Sequence, residues 1–198
     1  MTALASPEHA KTAMLVLTIG HSTRPIDVFV GLLVANGVTH LMDVRTIPKS
    51  RHNPQFNSDA LAGSLRDAGI AYTHVPGLGG LRRARPDSAN AAWRNPSFRG
   101  YADYMQTPAF AEHLAEVVAL AKSERIALMC AEAVPWRCHR SLIGDAVLAR
   151  GGMVEDIFVP PTGRSFRKPH ELTKFARVEG ERIWYPSTDE EVNPRLFS

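Results

Sequence analysis

The stretch Arg125–Gly152, RIALMCAEAVPWRCHRSLIGDAVLARGG, places an apolar segment, a polar loop and a helical pattern in direct succession. The first part, RIALMCA, is typical of a strand that is buried on both faces, as in a parallel sheet. CHRSLIGDAVLARGG then predicts a helix that ends at Gly151 and Gly152, because glycine commonly terminates helices. A strand that leads directly into a helix is the repeating unit of an α/β fold.

The same alternation extends to both sides of this stretch. Further short apolar strands are predicted at residues 14–19, 38–44, 70–75 and 154–159. Helical patterns lie between them, in PIDVFVGLLVANG, in SDALAGSLRDAG and over about 108–123. The sequence therefore predicts a single three-layer, Rossmann-like α/β domain. It would have a mostly parallel five-stranded sheet, helices on both faces and a long basic loop after the third strand.

The length of 198 residues suits one domain with one hydrophobic core. We expect an N-terminal extension over 1–12, the α/β domain over 13–160 and a C-terminal tail over 161–198 that packs on the domain. Beyond Pro160 the pattern indicates irregular or weakly helical structure. Hydrophobic residues at 44% and charged residues at 22% exclude wholesale disorder and a fibrous architecture.

Charge and cysteine content narrow the classes of function. Two cysteines are too few for a disulfide framework, no signal peptide is evident, and no apolar run could span a bilayer. We expect a cytoplasmic protein with no membrane partner and with free thiols. The net charge is only +3, but five arginines and one acid occupy residues 82–100. This local excess predicts an anionic ligand or a solvated basic loop.

Polar and reactive side chains follow four of the predicted strands. They are His21 and Ser22 after the first, Asp43, Arg45 and Ser50 after the second, Arg82 and Arg83 after the third, and Glu132, Arg137, Cys138, His139 and Arg140 after the fourth. The carboxyl ends of parallel strands meet at one edge of the sheet, so these groups are expected to share one pocket.

Cys138 is the candidate nucleophile among them. It is predicted to lie at the start of a helix beside Arg140, where its pKa should be lowered. The backbone N–H groups there could instead hold a phosphate or carboxylate, with arginines as the clamp. Cys130, at the end of a strand, is expected to be a small core residue. The spacing of the two cysteines and His139 does not favour a zinc site.

Glu132 and His21 form a candidate acid–base pair, and Asp43 is a third candidate catalytic group. Alternatively, Glu132 makes an ion pair with a loop arginine and His21 a structural hydrogen bond. Asp43 and Arg45 would point to opposite faces if the strand continued, so at most one of them should enter the pocket. The connection 76–100 interleaves arginines with aromatic residues, which suits either nucleic-acid binding or a lid.

The motifs TIGHS, LMDVRTIPKSR, VPGLGG and LMCAEAVPWRCHRSLIGDAV resemble, in this order, the bacterial family known as domain of unknown function 488. The resemblance runs from about Leu17 to Ile157 and implies an α/β protein with a suspected enzymatic pocket and no assigned reaction. Its motif positions fall here on His21, Ser22, Asp43, Arg45, Pro48, Ser50, Cys130, Glu132, Cys138, His139 and Arg140. A looser similarity to rhodanese-like and cysteine-phosphatase folds places Cys130 and Arg137 at a nucleophile and an anion-binding position.

We therefore expect an enzyme of hydrolase or transferase type that acts on a nucleotide-like or other phosphorylated substrate. Its catalytic residues would be Cys138, Glu132, His21 and Asp43. Its substrate-binding residues would be Ser22, Arg45, Ser50, Arg137, His139, Arg140, Arg82 and Arg83. No residue is assigned to a cofactor or a metal. The alternatives are a non-catalytic nucleotide-binding or nucleic-acid-binding module and a redox pair of the two cysteines.

Overall fold

A computed structural model describes residues 14–160 and 164–187 of the chain; the predicted N-terminal extension lies outside the described residues. The strands are β1 (Leu15–Gly20), β2 (His40–Asp43), β3 (Ala71–His74), β4 (Ile126–Cys130), β5 (Met153–Phe158), β6 (Phe166–Pro169), β7 (Arg177–Glu179) and β8 (Arg182–Trp184). The helices are α1 (Ile26–Ala35), α2 (Ser58–Asp67), α3 (Pro96–Tyr104), α4 (Pro108–Leu120) and α5 (Arg140–Leu148). Single 3₁₀ turns occur at Pro54–Phe56, Pro76–Leu78 and Pro135–Arg137.

The fold is mixed α/β around a central sheet with the strand order β3-β2-β4-β1-β5-β6. The first five strands along the chain pair in parallel, and β6 adds to β5 in the antiparallel direction. The mostly parallel sheet is thus confirmed. The predicted count of five strands is wrong for this sheet, which has six.

The missed strand, β6, has the sequence FRKP and is exposed along its whole length. It has no apolar alternation, and lysine and proline are typical of protected edge strands. The expectation of irregular or weakly helical structure after Pro160 is also wrong for β7 and β8, which form a hairpin. Gly180 has a φ of 57° between them, a conformation that glycine adopts without steric cost.

Buried side chains form two hydrophobic clusters. Val16 of β1 belongs to one cluster and its neighbour Leu17 to the other, as expected when successive residues of a strand point to opposite faces. Helices α1 and α2 pack in the cluster of Leu17, through Leu33 and Leu65 among others. Helices α3, α4 and α5 contribute to the cluster of Val16. The two clusters therefore lie on opposite sides of β1, and each includes its own group of helices.

The long connection 76–100 is more ordered than the sequence indicated, because α3 begins within it at Pro96. The Asn95 side chain caps α3 by accepting a hydrogen bond from the backbone N–H of Ser97. At Gly100 a Cβ would lie 2.6 Å from the backbone nitrogen of Ala84, so the absent side chain lets the basic loop pack on α3. The connection is thus a folded cover over the core.

A buried polar cluster ties the segment after β5 to the sheet and to α5. His170 lies between two carboxylates, 3.0 Å from Asp145 and 3.2 Å from Asp156. The Tyr185 hydroxyl donates a hydrogen bond to the other oxygen of Asp145, at 2.9 Å. Burial disfavours a charged imidazole, but the bonds to the two carboxylates outweigh it and raise the pKa of His170 to about 9. His170 is therefore positively charged at neutral pH.

Within residues 14–160 and 164–187, no helix has the length and apolar character needed to cross a membrane.

Candidate active site

The loop of residues 131–139, hereafter the cysteine loop, joins β4 to α5. It lies against the end of β1, where the backbone N–H of His21 donates to the Cys130 carbonyl and that of Ser22 to the Ala131 carbonyl. A Cβ on Gly20 would lie 1.7 Å from the carbonyl oxygen of Glu132, so glycine is required for this approach. Ser22 has a φ of 53°, an uncommon conformation for a residue with a side chain. The turn after β1 and the start of the cysteine loop are therefore packed closely against each other.

Arg140 lies beneath the cysteine loop and is only 1% exposed. Its guanidinium donates hydrogen bonds to the Cys130 sulfur at 2.6 Å and to the carbonyl oxygen of Glu132 at 2.8 Å. Its Nε–H donates to the hydroxyl of Thr18 at 3.2 Å. Among the described residues no carboxylate lies within ion-pair distance of Arg140. A buried cation is costly unless an anion balances it, and the sulfur of Cys130 is the nearest group that can become one.

Burial opposes ionisation of Cys130, but the hydrogen bond from Cys138 and the positive charge of Arg140 outweigh it and lower the pKa of Cys130 to about 7. The bond to Cys130 and burial raise the pKa of Cys138 well above its ordinary value. The two thiols thus divide into a donor and an acceptor. The prediction of a lowered pKa for Cys138 is wrong; Cys130 has the lowered pKa.

The reason lies in the interaction between the two thiols and in their burial, and not in a missing helix N-terminus. The helix starts at Arg140, and Cys138 precedes it with extended backbone angles of φ −135° and ψ 143°. Its N–H donates to the Pro135 carbonyl at 2.9 Å and closes the 3₁₀ turn. The backbone N–H and the positive charge of Arg140 at the start of α5 favour a lower pKa for Cys138, but the bond to Cys130 and burial outweigh them.

Two cavities open beside the cysteine loop, and several side chains border both. The thiol cavity has a volume of about 470 Å³ and is lined by Arg45, Thr46, Ile47, Gly80, Leu81, Ser97, Phe98, Cys130, Ala131, Glu132, Arg137, Cys138 and His139. The histidine cavity, of about 390 Å³, is lined by His21, Ser22, Thr23, Arg45, Ile47, Lys49, Ser50, Asn53, Ala131, Glu132 and Ala133. The two linings therefore contain eight of the twelve predicted site residues, and Asp43, Arg82, Arg83 and Arg140 line neither cavity.

Glu132 borders both cavities with an exposed side chain. In the part of the chain that the structure describes, its carboxylate has no ion-pair partner, so the predicted alternative of a pair with Arg137 or Arg140 is not found. Arg137 is also exposed and lines the thiol cavity. Within the described residues, one carboxylate and one guanidinium without ion-pair partners thus border the thiol cavity.

Asp43 and Arg45 are paired with each other. Arg45 donates from Nε and from one terminal nitrogen to the two carboxylate oxygens of Asp43, and to the carbonyl oxygen of Phe56. Tyr72 donates its hydroxyl to Asp43 at 2.8 Å. The expectation that the two residues point to opposite faces is wrong, because residues two apart on a strand share a face. Of the two, only Arg45 lines the cavities, in agreement with the expectation that at most one of them enters the pocket. Asp43 is fully buried and serves to position Arg45.

The two histidines of the site are neutral at neutral pH. Nδ1 of His21 donates to the carbonyl of Ser22 at 2.7 Å, and Nε2 accepts from Arg45 at 3.2 Å. Burial, with the nearby charge of Arg45, lowers the pKa of His21 to about 4. Burial likewise lowers the pKa of His139 to about 4. His139 bonds to the Val44 carbonyl through Nε2, and its Nδ1 lies 3.6 Å from the Cys138 sulfur.

Three further predicted residues are held by other parts of the protein or lie outside both cavities. Arg82 donates to the carbonyls of Gly77 and Gly79 and stacks on the ring of Tyr104, with 3.6 Å to its centroid. Arg83 is exposed and lines neither cavity. Ser50 lines the histidine cavity, where its hydroxyl accepts from the backbone N–H of Asn53.

Sequence reasoning missed Cys130 as the ionisable thiol and the wall formed by Leu81, Ser97 and Phe98. The spacing between Cys130 and a following arginine was the signal that could have identified Cys130 as the ionisable thiol. The arginine that donates to the Cys130 sulfur is Arg140, however, and not Arg137. Among the described residues no group of three or more His, Cys, Asp or Glu side chains could hold a metal ion.

These features define a mixed α/β protein with two buried thiols in a pocket at the carboxyl ends of parallel strands. The family model described as Domain of unknown function DUF488 matches residues 25–147, more than half of the chain. The chain therefore belongs to this family, and the predicted family is confirmed. The match is narrower than the predicted span from Leu17 to Ile157. No curated protein and no solved structure shows a significant match, so the looser rhodanese-like similarity gains no support.

Proposed function

We propose that the protein is an enzyme in which the thiolate of Cys130 attacks an electrophilic centre of a small anionic substrate bound in the thiol cavity. The observation that carries the proposal is the buried Arg140, which has no carboxylate partner among the described residues and donates to the Cys130 sulfur. A thiolate at this position would balance the buried charge and would be a strong nucleophile near neutral pH. The reaction would be a group transfer or a hydrolysis that passes through a covalent adduct on sulfur.

The other groups take roles that follow from their surroundings. Glu132 is our candidate for proton transfer, because its exposed carboxylate borders the cavity and has no ion-pair partner there. Arg137 would hold the anionic part of the substrate. His21 and Asp43 would position Arg45. Arg140 would be a positioning residue for the thiolate, because protein atoms already accept its hydrogen bonds.

A phosphorylated or nucleotide-like substrate remains our expectation for the anionic group, but the buried arginines would not form its clamp. The guanidinium of Arg45 is bound to Asp43 and the Phe56 carbonyl, and that of Arg140 is bound to the cysteine loop. Exposed cations at the edges of the cavities, Arg137 and Lys49, would bind the anion instead. A carboxylate or a phosphate would satisfy either of them.

The test is the rate of alkylation by iodoacetamide against pH, with peptides located by mass spectrometry. We expect modification of Cys130 with a midpoint at about pH 7. Cys138→Ala should shift that midpoint upward, because it removes the hydrogen bond from Cys138 to the Cys130 sulfur. Cys130→Ala is the matched control and should abolish alkylation near neutral pH. Preferential alkylation of Cys138, or a midpoint for Cys130 near its ordinary value, would disprove the proposal.

Nucleotide binding without catalysis is the second candidate, and Trp136 is the observation that favours it. Its indole is 64% exposed, lines a separate cavity of about 250 Å³ together with Lys168, and stacks on Phe158, with 5.8 Å between centroids. Stacked aromatic rings are used to bind bases. Against a nucleic-acid partner, Arg85 of the basic loop pairs with Asp87 and Arg82 is held by carbonyls. Binding of an oligonucleotide with a steep salt dependence would favour this candidate.

We also infer the finer features of the fold and its surroundings. The two groups of helices support a three-layer, Rossmann-like description of residues 13–160. Pairing of β6 with β5 supports a tail, 161–198, that packs on this unit. Two free thiols are consistent with a reducing compartment such as the cytoplasm.

A further inference from the structure

A mechanism with a single nucleophile uses the second cysteine, Cys138, only to lower the pKa of Cys130. Cys138 lines the same cavity as Cys130 and is buried to the same degree, and each thiol shifts the pKa of the other. Neither cysteine is in a disulfide. A buried thiol that faces the attacking sulfur across a short loop is placed to react with whatever becomes attached to that sulfur.

We propose that the protein carries out thiol–disulfide exchange on small disulfide-bonded molecules, with Cys130 as the attacking thiol and Cys138 as the resolving thiol. This inference rests on the proposed role of Cys130 as the nucleophile. It goes beyond the proposed function in the substrate, a disulfide in place of a phosphorylated molecule, and in the reaction, an oxidoreduction in place of a group transfer or hydrolysis. The cavity of about 470 Å³ would admit a low-molecular-weight disulfide. The unpaired Arg137 at its rim would favour a disulfide that carries a carboxylate.

The exchange with the substrate has two steps. The Cys130 thiolate attacks one sulfur of the substrate, forms a mixed disulfide and releases the other half of the substrate as a thiolate. The sulfur of Cys138 then attacks the Cys130 sulfur, forms the internal disulfide and releases the second half, which takes up the Cys138 proton. The substrate gains two electrons and the protein loses them. Two equivalents of a low-molecular-weight thiol then reduce the internal disulfide and complete the cycle.

The surroundings of the two sulfurs suit this order of events. Arg140 donates to the sulfur of Cys130, so Cys130 is the thiol that attacks first. The Nδ1 atom of His139, 3.6 Å from the Cys138 sulfur, is the nearest ring nitrogen to the proton that must leave in the second step. Cys138 has extended backbone before α5, so a change in its sulfur position need not unwind the helix.

The experiment uses the full chain, first reduced and then freed of reductant. The protein is mixed with an excess of oxidised glutathione, which carries carboxylates, or of 2-hydroxyethyl disulfide, which is neutral, and its intact mass is read after an acid quench. We expect the wild-type protein to lose two hydrogen atoms and to carry no adduct. Cys138→Ala should accumulate a mixed disulfide on Cys130. Cys130→Ala should remain unmodified near neutral pH, and oxidised glutathione should react faster than the neutral disulfide.

The outcomes separate this inference from the proposed function. A stable adduct on Cys130 of the wild-type protein would overturn the role of Cys138 and leave Cys130 as a nucleophile. Alkylation of Cys130 by iodoacetamide with no reaction towards either disulfide would overturn the substrate class alone. Inertness of Cys130 to all three reagents would overturn both proposals. Cys138→Ser, which keeps a hydroxyl near the Cys130 sulfur, is the second variant should Cys138→Ala fail to fold.

Discussion

The charged His170 should make the stability of the protein depend on pH in a defined direction. Its imidazole is held between Asp145 and Asp156, and its side chain is only 8% exposed. The two carboxylates raise the pKa of His170 from 6.5 to about 9 in the folded state, against the burial that lowers it. A pKa difference of this size corresponds to about 3 kcal/mol, since each pH unit is worth about 1.4 kcal/mol.

The sign follows from which state binds the proton more tightly. The folded protein holds the His170 proton more tightly, so the stabilisation is fully present below pH 6.5 and is lost as pH rises through about 9. His170→Gln removes this contribution. The free energy of unfolding of the wild-type protein should therefore exceed that of the variant most at pH 6, and the difference should shrink by about 3 kcal/mol by pH 10.

Urea unfolding followed by tryptophan fluorescence would measure this difference at a series of pH values. Subtracting the variant from the wild-type protein cancels other groups that titrate in the same range, Cys130 among them. His52→Gln, at an exposed histidine, is the matched control and should follow the wild-type protein at every pH. If the difference in unfolding free energy between the wild-type protein and His170→Gln stays constant from pH 6 to pH 10, His170 is not held in its charged form between the two carboxylates.

Two substitutions test the packing that supports the site. Gly20→Ala should cost about 3 kcal/mol of unfolding free energy and slow alkylation of the site thiol, because its Cβ would overlap a carbonyl of the cysteine loop. The control is Gly31→Ala in α1, where a Cβ meets nothing within 4 Å; it should stabilise the protein by up to about 1 kcal/mol. Equal effects of the two substitutions on urea unfolding would contradict the close approach of Gly20 to the cysteine loop. Tyr72→Phe should cost about 1–3 kcal/mol in the same assay, because it removes a donor from the buried Asp43, and an unchanged unfolding midpoint would speak against that bond.

The parallel strands could be predicted because burial on both faces leaves a strong signal. The segments IALMC and LVLTIG are apolar along their length, and both are central strands of the sheet. β6 left no such signal because an edge strand needs only one partner and can remain polar. Helix α3 was missed because its first turn lies in a segment rich in proline, asparagine and arginine, which is typical of loops.

The candidate site was predictable in its location but not in its chemistry. Groups that follow the strands do meet at the carboxyl edge, as the alternation of strands and helices implies. The identity of the ionisable thiol depended on the interaction between the two cysteines and on their burial, which the sequence pattern does not specify. The contact between Arg140 and the Cys130 sulfur crosses the cysteine loop, and no rule of residue spacing specifies it.

Buried hydrogen bonds connect Arg140 through Thr18 to Asp156 and His170. These contacts limit where a shorter fragment of the protein could begin and end. A fragment limited to the matched range 25–147 would lack β1, the strand that separates β4 from β5. A fragment that ends near Pro160 would lack His170, whose positive charge balances the buried carboxylates of Asp145 and Asp156. We therefore expect the segment that the protein needs in order to fold to be longer than the range that the family model matches.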